Sequence, residues 1–214
     1  MLFTANSSPS SSPSRAAVRW RRSVLLGATI VSLAIVLLAA ACDGQASGND
    51  RPQATPTSTL AVPPLRLPSV APGGACPLAQ ASPWPDSSEA NRVLGDGPAH
   101  PVADYFRDGA ELQLRDEDRE PDGTYIKKVR WVVADYAGPL LVRAGRIDGP
   151  GSASVKFSYT GMARDGGYYT ELTHTSSDLP ATTTVSGPGC YAYQVDGTTF
   201  STMVVFSAVL DTPQ

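Results

Sequence analysis

Beyond residue 76 the apolar positions recur with a period near two, the mark of half-buried strands. Runs rich in β-branched and aromatic residues predict strands over 110–115, 125–134, 140–147, 153–160, 168–173, 181–185, 190–195 and 198–210, with turn-forming residues between them. One short helix is expected, from Ser87 to Leu94, stopped by the breaker cluster Gly95-Asp96-Gly97-Pro98. The pattern predicts an all-β fold, an immunoglobulin-like antiparallel β-sandwich of about 7–8 strands over residues 76–214. A true immunoglobulin domain is disfavoured: the order Cys76, Trp131, Cys190 is right but the spacings are too long, and Pro188 stands where the tyrosine corner needs Tyr.

Within the second predicted strand, Val129, Trp131 and Val133 alternate with Lys128, Arg130 and Val132. Trp131 is therefore expected in the core, with the other face largely wet. Near the C-terminus, Asp196-Gly197 lies between two strand-like runs and predicts a two-residue type I′ turn. That turn would set Val195 opposite Thr198, Tyr193 opposite Phe200 and Tyr191 opposite Thr202, with Cys190, Ala192 and Gln194 on the reverse face. Beyond it, Phe200, Val204 and Phe206 share the first face while Met203, Val205 and Val209 share the second, so the last strand reads as central.

The N-terminal pattern is different. Residues 1–41 hold Arg15, Arg19, Arg21 and Arg22 and no acid, followed by an apolar run from Val24 to Ala41 broken only by Gly27, Thr29 and Ser32. This is a signal-peptide layout. Leu37-Leu38-Ala39-Ala40-Ala41-Cys42 resembles the bacterial lipobox, which implies cleavage before Cys42, a diacylglycerol on its sulfur and a location on the extracytoplasmic face of the cell membrane. Arg21-Arg22-Ser23-Val24-Leu25 also looks like a twin-arginine signal, so Sec and Tat export both stay open. An uncleaved anchor is the rival reading, since Ser23 to Ala41 approaches the length that spans a bilayer. Either way the arginines stay cytoplasmic and the rest of the chain lies outside.

Export gives meaning to the three cysteines, because lipidation of Cys42 leaves Cys76 and Cys190 as an even pair in an oxidising compartment. A disulfide between them would clasp an N-terminal segment over the sheet; a metal site is the alternative, with no CxxC or nearby His behind it. From residue 42 to 75 the chain is rich in Pro, Ser, Thr, Gly and Ala and reads as an anchor cysteine followed by a disordered tether. Four of the 17 basic residues sit in the leader, so the remainder carries 13 against 20 acidic residues, a net charge of −7. Such a surface repels phosphate backbones, and no nucleic-acid partner is expected.

Gly95-Asp96-Gly97-Pro98, Gly138-Pro139-Leu140-Leu141-Val142-Arg143 running into Ile147-Asp148-Gly149, and Pro188-Gly189-Cys190-Tyr191-Ala192-Tyr193-Gln194-Val195-Asp196-Gly197 resemble uncharacterised secreted or lipid-anchored β-proteins of Gram-positive and Chloroflexi-type bacteria. The resemblance covers residues 76–210. It implies a shared sandwich and cysteine and carries over no catalytic residue.

Candidate chemistry is sparse. The two histidines, His100 in a Pro-flanked loop and His174 at a strand end, lie in no nucleophile motif. Asp118, Glu120 and Asp122 before Gly123 match the start of a calcium loop, but Val129 stands at the twelfth position and strands flank it. Tyr168, Tyr169, Tyr191 and Tyr193 would suit a sugar-binding platform if they gathered on one exposed face, but alternation sends Tyr168 and Tyr169 to opposite sides, so core packing is the better account for at least half of them. Nothing calls for a cofactor. The expected role is a non-enzymatic extracytoplasmic binding or interaction module, and the alternative is a cell-envelope hydrolase with a site near His100 or His174.

Overall fold

The computed structural model describes residues 59–211 apart from residue 72. The leader, Cys42 and the first part of the tether lie outside the described residues. Alternating apolar positions produce fourteen strands among those described: β1 Ala81–Pro83, β2 Arg92–Leu94, β3 Ala99–Pro101, β4 Glu111–Leu114, β5 Tyr125–Lys128, β6 Trp131–Val133, β7 Gly138–Arg146, β8 Ala153–Phe157, β9 Met162–Arg164, β10 Gly167–Leu172, β11 Ser177–Leu179, β12 Ala181–Val185, β13 Gly189–Asp196 and β14 Ser201–Leu210. The fold is all-β, as expected, with more strands than the long apolar runs predict. The extra ones are three-residue strands, too short for a period to register.

One layer is a six-stranded sheet in the order β4-β14-β13-β7-β10-β9. Its pairs are antiparallel except β14 with β4, which is parallel and departs from the expected arrangement. The opposite layer consists of two three-stranded sheets, β11-β6-β3 and β5-β12-β8. The predicted strand 125–134 is divided between them, because the chain leaves one sheet after Lys128 and enters the other at Trp131. Leu112, Leu140, Val142, Tyr191, Tyr193 and Phe206 from the large sheet meet Trp131, Val133, Val155, Phe157, Leu179 and Val185 from the two small ones in one core. Tyr193 stacks on Phe206 with centroids 4.6 Å apart and meets Trp131 edge-on at 5.1 Å, arrangements that aromatic quadrupoles favour.

Trp131 is in the core as expected, but Val132 on the reverse face is covered too, by Ala90, Val93, Val102 and Trp84. That cover replaces the predicted helix: Asp86 caps a turn through Ser88, and Arg92–Leu94 pairs with Ala81–Pro83 as a strand. The β13–β14 hairpin keeps the predicted faces and changes register. Tyr193 pairs with Val204 and Val195 with Thr202, and the turn closes between Gly197 and Phe200. The slip is even, so no side chain changes face. Its cause is Asp196, which is held in the strand by Arg143, Gln194 and Ser201. Gly197 is required there because a Cβ would run into the Phe200 ring.

Cys76 and Cys190 form a disulfide, with Cα atoms 5.7 Å apart. Cys190 lies on the face opposite Tyr193, where Ile147, Ala192 and Val205 are covered by Leu67, Val70 and Cys76. The clasp thus staples an N-terminal segment over the sheet. Residues 59–71, expected to be disordered tether, form an extended strap on that face. The N–H of Val70 donates to Ile147 O at 2.8 Å, and the N–H of Arg66 donates to Gln194 Oε1 at 2.7 Å. Gln194 Nε2 returns a bond to Pro64 O at 3.1 Å, and Arg143 Nη2 donates to Pro63 O at 2.8 Å. Proline suits an extended segment that meets the sheet through the amides of Arg66 and Val70 and through the carbonyls of Pro63 and Pro64. A few large side chains and these bonds offset the ordering entropy that composition alone suggested could not be met.

Candidate functional site

The four tyrosines proposed as a platform do not gather. Tyr191 and Tyr193 are fully buried in the core, where burial pushes the Tyr193 phenol above its ordinary pKa against the opposing hydrogen bond to Thr183. Tyr191 donates to Gly187 O at 2.7 Å. Tyr168 packs edge-on against Phe157 at the rim of the core. Tyr169 faces the other way, under the Arg164 guanidinium, and donates to Glu171 at 2.6 Å, which holds its phenol above the usual value. Tyr191 and Tyr193 are thus core residues, as alternation favoured for at least half of the group, and the four share no exposed face.

The acidic segment is equally engaged. Asp118 forms an ion pair with Lys127 and caps the N–H of Arg115. Asp122 accepts from both the hydroxyl and the N–H of Thr124, which hold its carboxyl below the usual range. Among the described residues no three carboxylate, Cys or His side chains converge on a point that could hold a metal ion, so the calcium candidate Asp118, Glu120 and Asp122 is corrected as well. His100 is buried, its Nδ1 lies 3.2 and 3.1 Å from the carbonyls of Leu94 and Gly95, and its ring meets Trp84 edge-on. Two acceptors at one nitrogen require it to carry the proton. His174 is exposed. Among the described residues neither imidazole is hydrogen-bonded to a hydroxyl or a carboxylate, the pairing that nucleophilic hydrolysis needs.

A different site emerges on the outward face of β5-β12-β8. Pairing places Lys128 beside Thr182 and Thr182 beside Lys156 in one row, with Ile126, Thr184 and Ser154 in the next. Past the strand ends Val129 N–H donates to Ala181 O and Ser158 N–H to Pro180 O, so Arg130, Pro180 and Ser158 continue the face. Here a cleft of about 220 Å³ opens, lined by Tyr105, Tyr159, Pro180, Ala181 and Thr182. Lys128, Arg130 and Ser158 supply its polar groups. Tyr159 is 88% exposed and Tyr105 43%.

Both rings stand on anchored backbone. Val102 N–H donates to Arg130 O at 2.8 Å and opens the 3-10 turn Ala103–Tyr105, which brings Tyr105 to the cleft. Tyr159 lies between Ser158, bonded to Pro180, and Thr160, whose hydroxyl meets that of Thr170 at 2.7 Å. Gly161 follows with φ +86°, where a Cβ would collide with Tyr169 O. Arg130 is fixed by Asp178, whose hydrogen bond holds the guanidinium above its ordinary pKa, and by the carbonyl of Glu89. A wider groove of about 570 Å³ continues from Tyr105, Lys128 and Thr182 past Ile126 to Glu117, Asp118 and Glu120.

Sequence reasoning missed this site because Tyr105 falls between predicted elements and Tyr159 inside one. One trace of it was visible: the chain has three lysines, Lys127, Lys128 and Lys156, all in strands of this sheet. A cleft lined by two exposed tyrosines, two cations and hydroxyls can hold a ligand with one apolar and one polar face. Comparison of the chain with protein-family models, curated proteins and solved structures returns no match.

Proposed function

We propose that the chain is an exported, lipid-anchored, non-enzymatic binding module whose ligand site is the Tyr105–Tyr159 cleft, with a saccharide as the ligand. One observation carries this reading: two exposed tyrosines on anchored backbone line one cleft together with Lys128, the fixed Arg130 and hydroxyls. Sugar rings present an apolar face to aromatics and an edge of hydroxyls to polar groups, which is the division this cleft makes. Export is supported by the leader pattern ending at Cys42 and by the Cys76–Cys190 bond, which belongs to an oxidising compartment. The resemblance to envelope β-proteins agrees with that address.

The test is binding of the full chain to immobilised envelope saccharides, comparing wild type with Tyr105→Ala and Tyr159→Ala. Each substitution is expected to weaken binding by about tenfold, the equivalent of 1.4 kcal/mol, with unchanged thermal stability. Binding to no saccharide, or binding indifferent to both substitutions, overturns the reading. Mass spectrometry of the mature protein checks the address: a free, unmodified Cys42 sulfur or a retained leader removes the lipid anchor.

A further inference from the structure

We infer that the ligand is an acidic polysaccharide that runs from the Tyr105–Tyr159 cleft across β12 and is read by Lys128 and Lys156; this rests on the saccharide reading above. Ten cations lie among the described arginines and lysines outside this pair, and the nearest of them are already committed. Lys127 is paired with Asp118 and Arg130 with Asp178. Lys128 and Lys156 have no ion-pair partner among the described residues, and both point to solvent from opposite sides of Thr182. Two unneutralised ammonium groups in a chain that is acidic overall mark a local complement to negative charge. At physiological salt the screening length is about 8 Å, so a ligand on this face senses these two charges more than the net charge of the whole surface.

Geometry selects the kind of anion. The two lysines stand two strands apart, about 10 Å between backbones, the span of two sugar rings, so carboxylates along a glycan can meet both while one ring lies between Tyr105 and Tyr159. Ser158 and Thr182 line the path with hydroxyls suited to sugar edges. Glu117 and Glu120 lie in the adjoining groove beyond β5 and repel an acidic chain there, which directs it from the cleft toward β8. A nucleic acid is disfavoured, because binding to phosphate backbones requires many cations and this face offers two free ones.

The experiment is titration of the full chain with polygalacturonate and with its carboxyl-reduced form, at low and moderate salt, alongside single-stranded DNA and anionic phospholipid vesicles. Polygalacturonate is expected to bind more tightly than the reduced polymer, with affinity falling as salt rises. Lys128→Gln and Lys156→Gln are each expected to weaken it about two- to fivefold, the range of exposed charge pairs, and Lys156→Gln, whose side chain is not part of the cleft lining, leaves the reduced polymer unaffected. Melting temperatures confirm that both variants are folded. Equal binding of the two polymers, still lost in Tyr159→Ala, overturns the acidic ligand and leaves the saccharide reading standing. Binding of neither polymer overturns the acidic ligand, with the saccharide reading decided by the envelope saccharides above, and preference for DNA or vesicles overturns the polysaccharide.

Discussion

Asp196→Asn tests the polar cluster beneath the strap. Its carboxylate is fully buried and accepts from Arg143 Nη2 at 2.7 Å, Gln194 Nε2 at 3.0 Å and Ser201 Oγ at 2.6 Å. The Arg143 side chain is itself only 6% exposed. The substitution conserves shape and opens no cavity, so the loss it causes is that of a buried charge left without its partner. Such losses run to about 3–5 kcal/mol, a large part of the roughly 5–15 kcal/mol that holds a domain of this kind. With a urea slope near 2 kcal/mol per molar, the midpoint should fall by about 2 M. Arg143→Met combined with Asp196→Leu removes both charges and should recover most of that loss, since apolar replacement of a buried pair is often neutral or better. Equilibrium urea unfolding followed by tryptophan fluorescence reads both. A midpoint shift under about 0.5 M for Asp196→Asn would falsify the burial argument, because it would mean that water reaches Arg143 in the folded chain.

Other expectations follow from neighbouring features. Partial burial pushes the Asp148 carboxyl up, but hydrogen bonds from Arg146 and the Cys190 N–H, with the charge of Arg146, outweigh it and hold the pKa below the usual range. A depressed folded-state pKa contributes stability that is present above the unfolded value near 3.9 and lost as pH falls through the folded one; melting temperatures in Asp148→Asn should therefore decline less between pH 5 and 2 than in wild type, and parallel curves would refute the assignment. Replacing Cys76 and Cys190 by Ser opens a loop of 114 residues, for which chain entropy gives a loss of about 4.8 kcal/mol; a loss below about 1 kcal/mol by denaturant titration would show the clasp to be thermodynamically idle. Amide exchange should find the Arg66 and Val70 N–H groups protected, and Gln194→Ala should release Arg66 first, whereas exchange of both at unfolded-chain rates would mean that the strap is not seated.

The long strands were legible because each carries several alternations: 181–185 was read with its observed bounds, and Trp131 was placed in the core on alternation alone. What stayed hidden depends on residues far apart in sequence. The hairpin register could not be read from Asp196-Gly197, since the turn preference of Asp yields to a charge partner, Arg143, 53 residues away. The strap could not be read from its composition, because Leu67 and Val70 gain meaning only from the sheet face that receives them. The tyrosines were read in part: core packing was the better account for at least half of them, and Tyr191 and Tyr193 went to the core, while the exposed pair, Tyr105 and Tyr159, came from a short turn and a bend. Exposure at such places is decided by anchoring bonds such as Val102 to Arg130, which leave no periodic trace.

The clasp between Cys76 and Cys190 also governs how the domain responds to force. A pull between residues 59 and 211 can draw out the strap and the terminal hairpin, but the 114-residue segment between the sulfurs cannot enter the line of tension. At about 3.5 Å per residue this withholds roughly 400 Å of contour length. Tyr105, Lys128, Arg130, Lys156, Tyr159 and Thr182 all fall inside that closed loop. For the anchored module proposed above, a load applied to the two ends of the chain would leave the backbone of the proposed binding face outside its path.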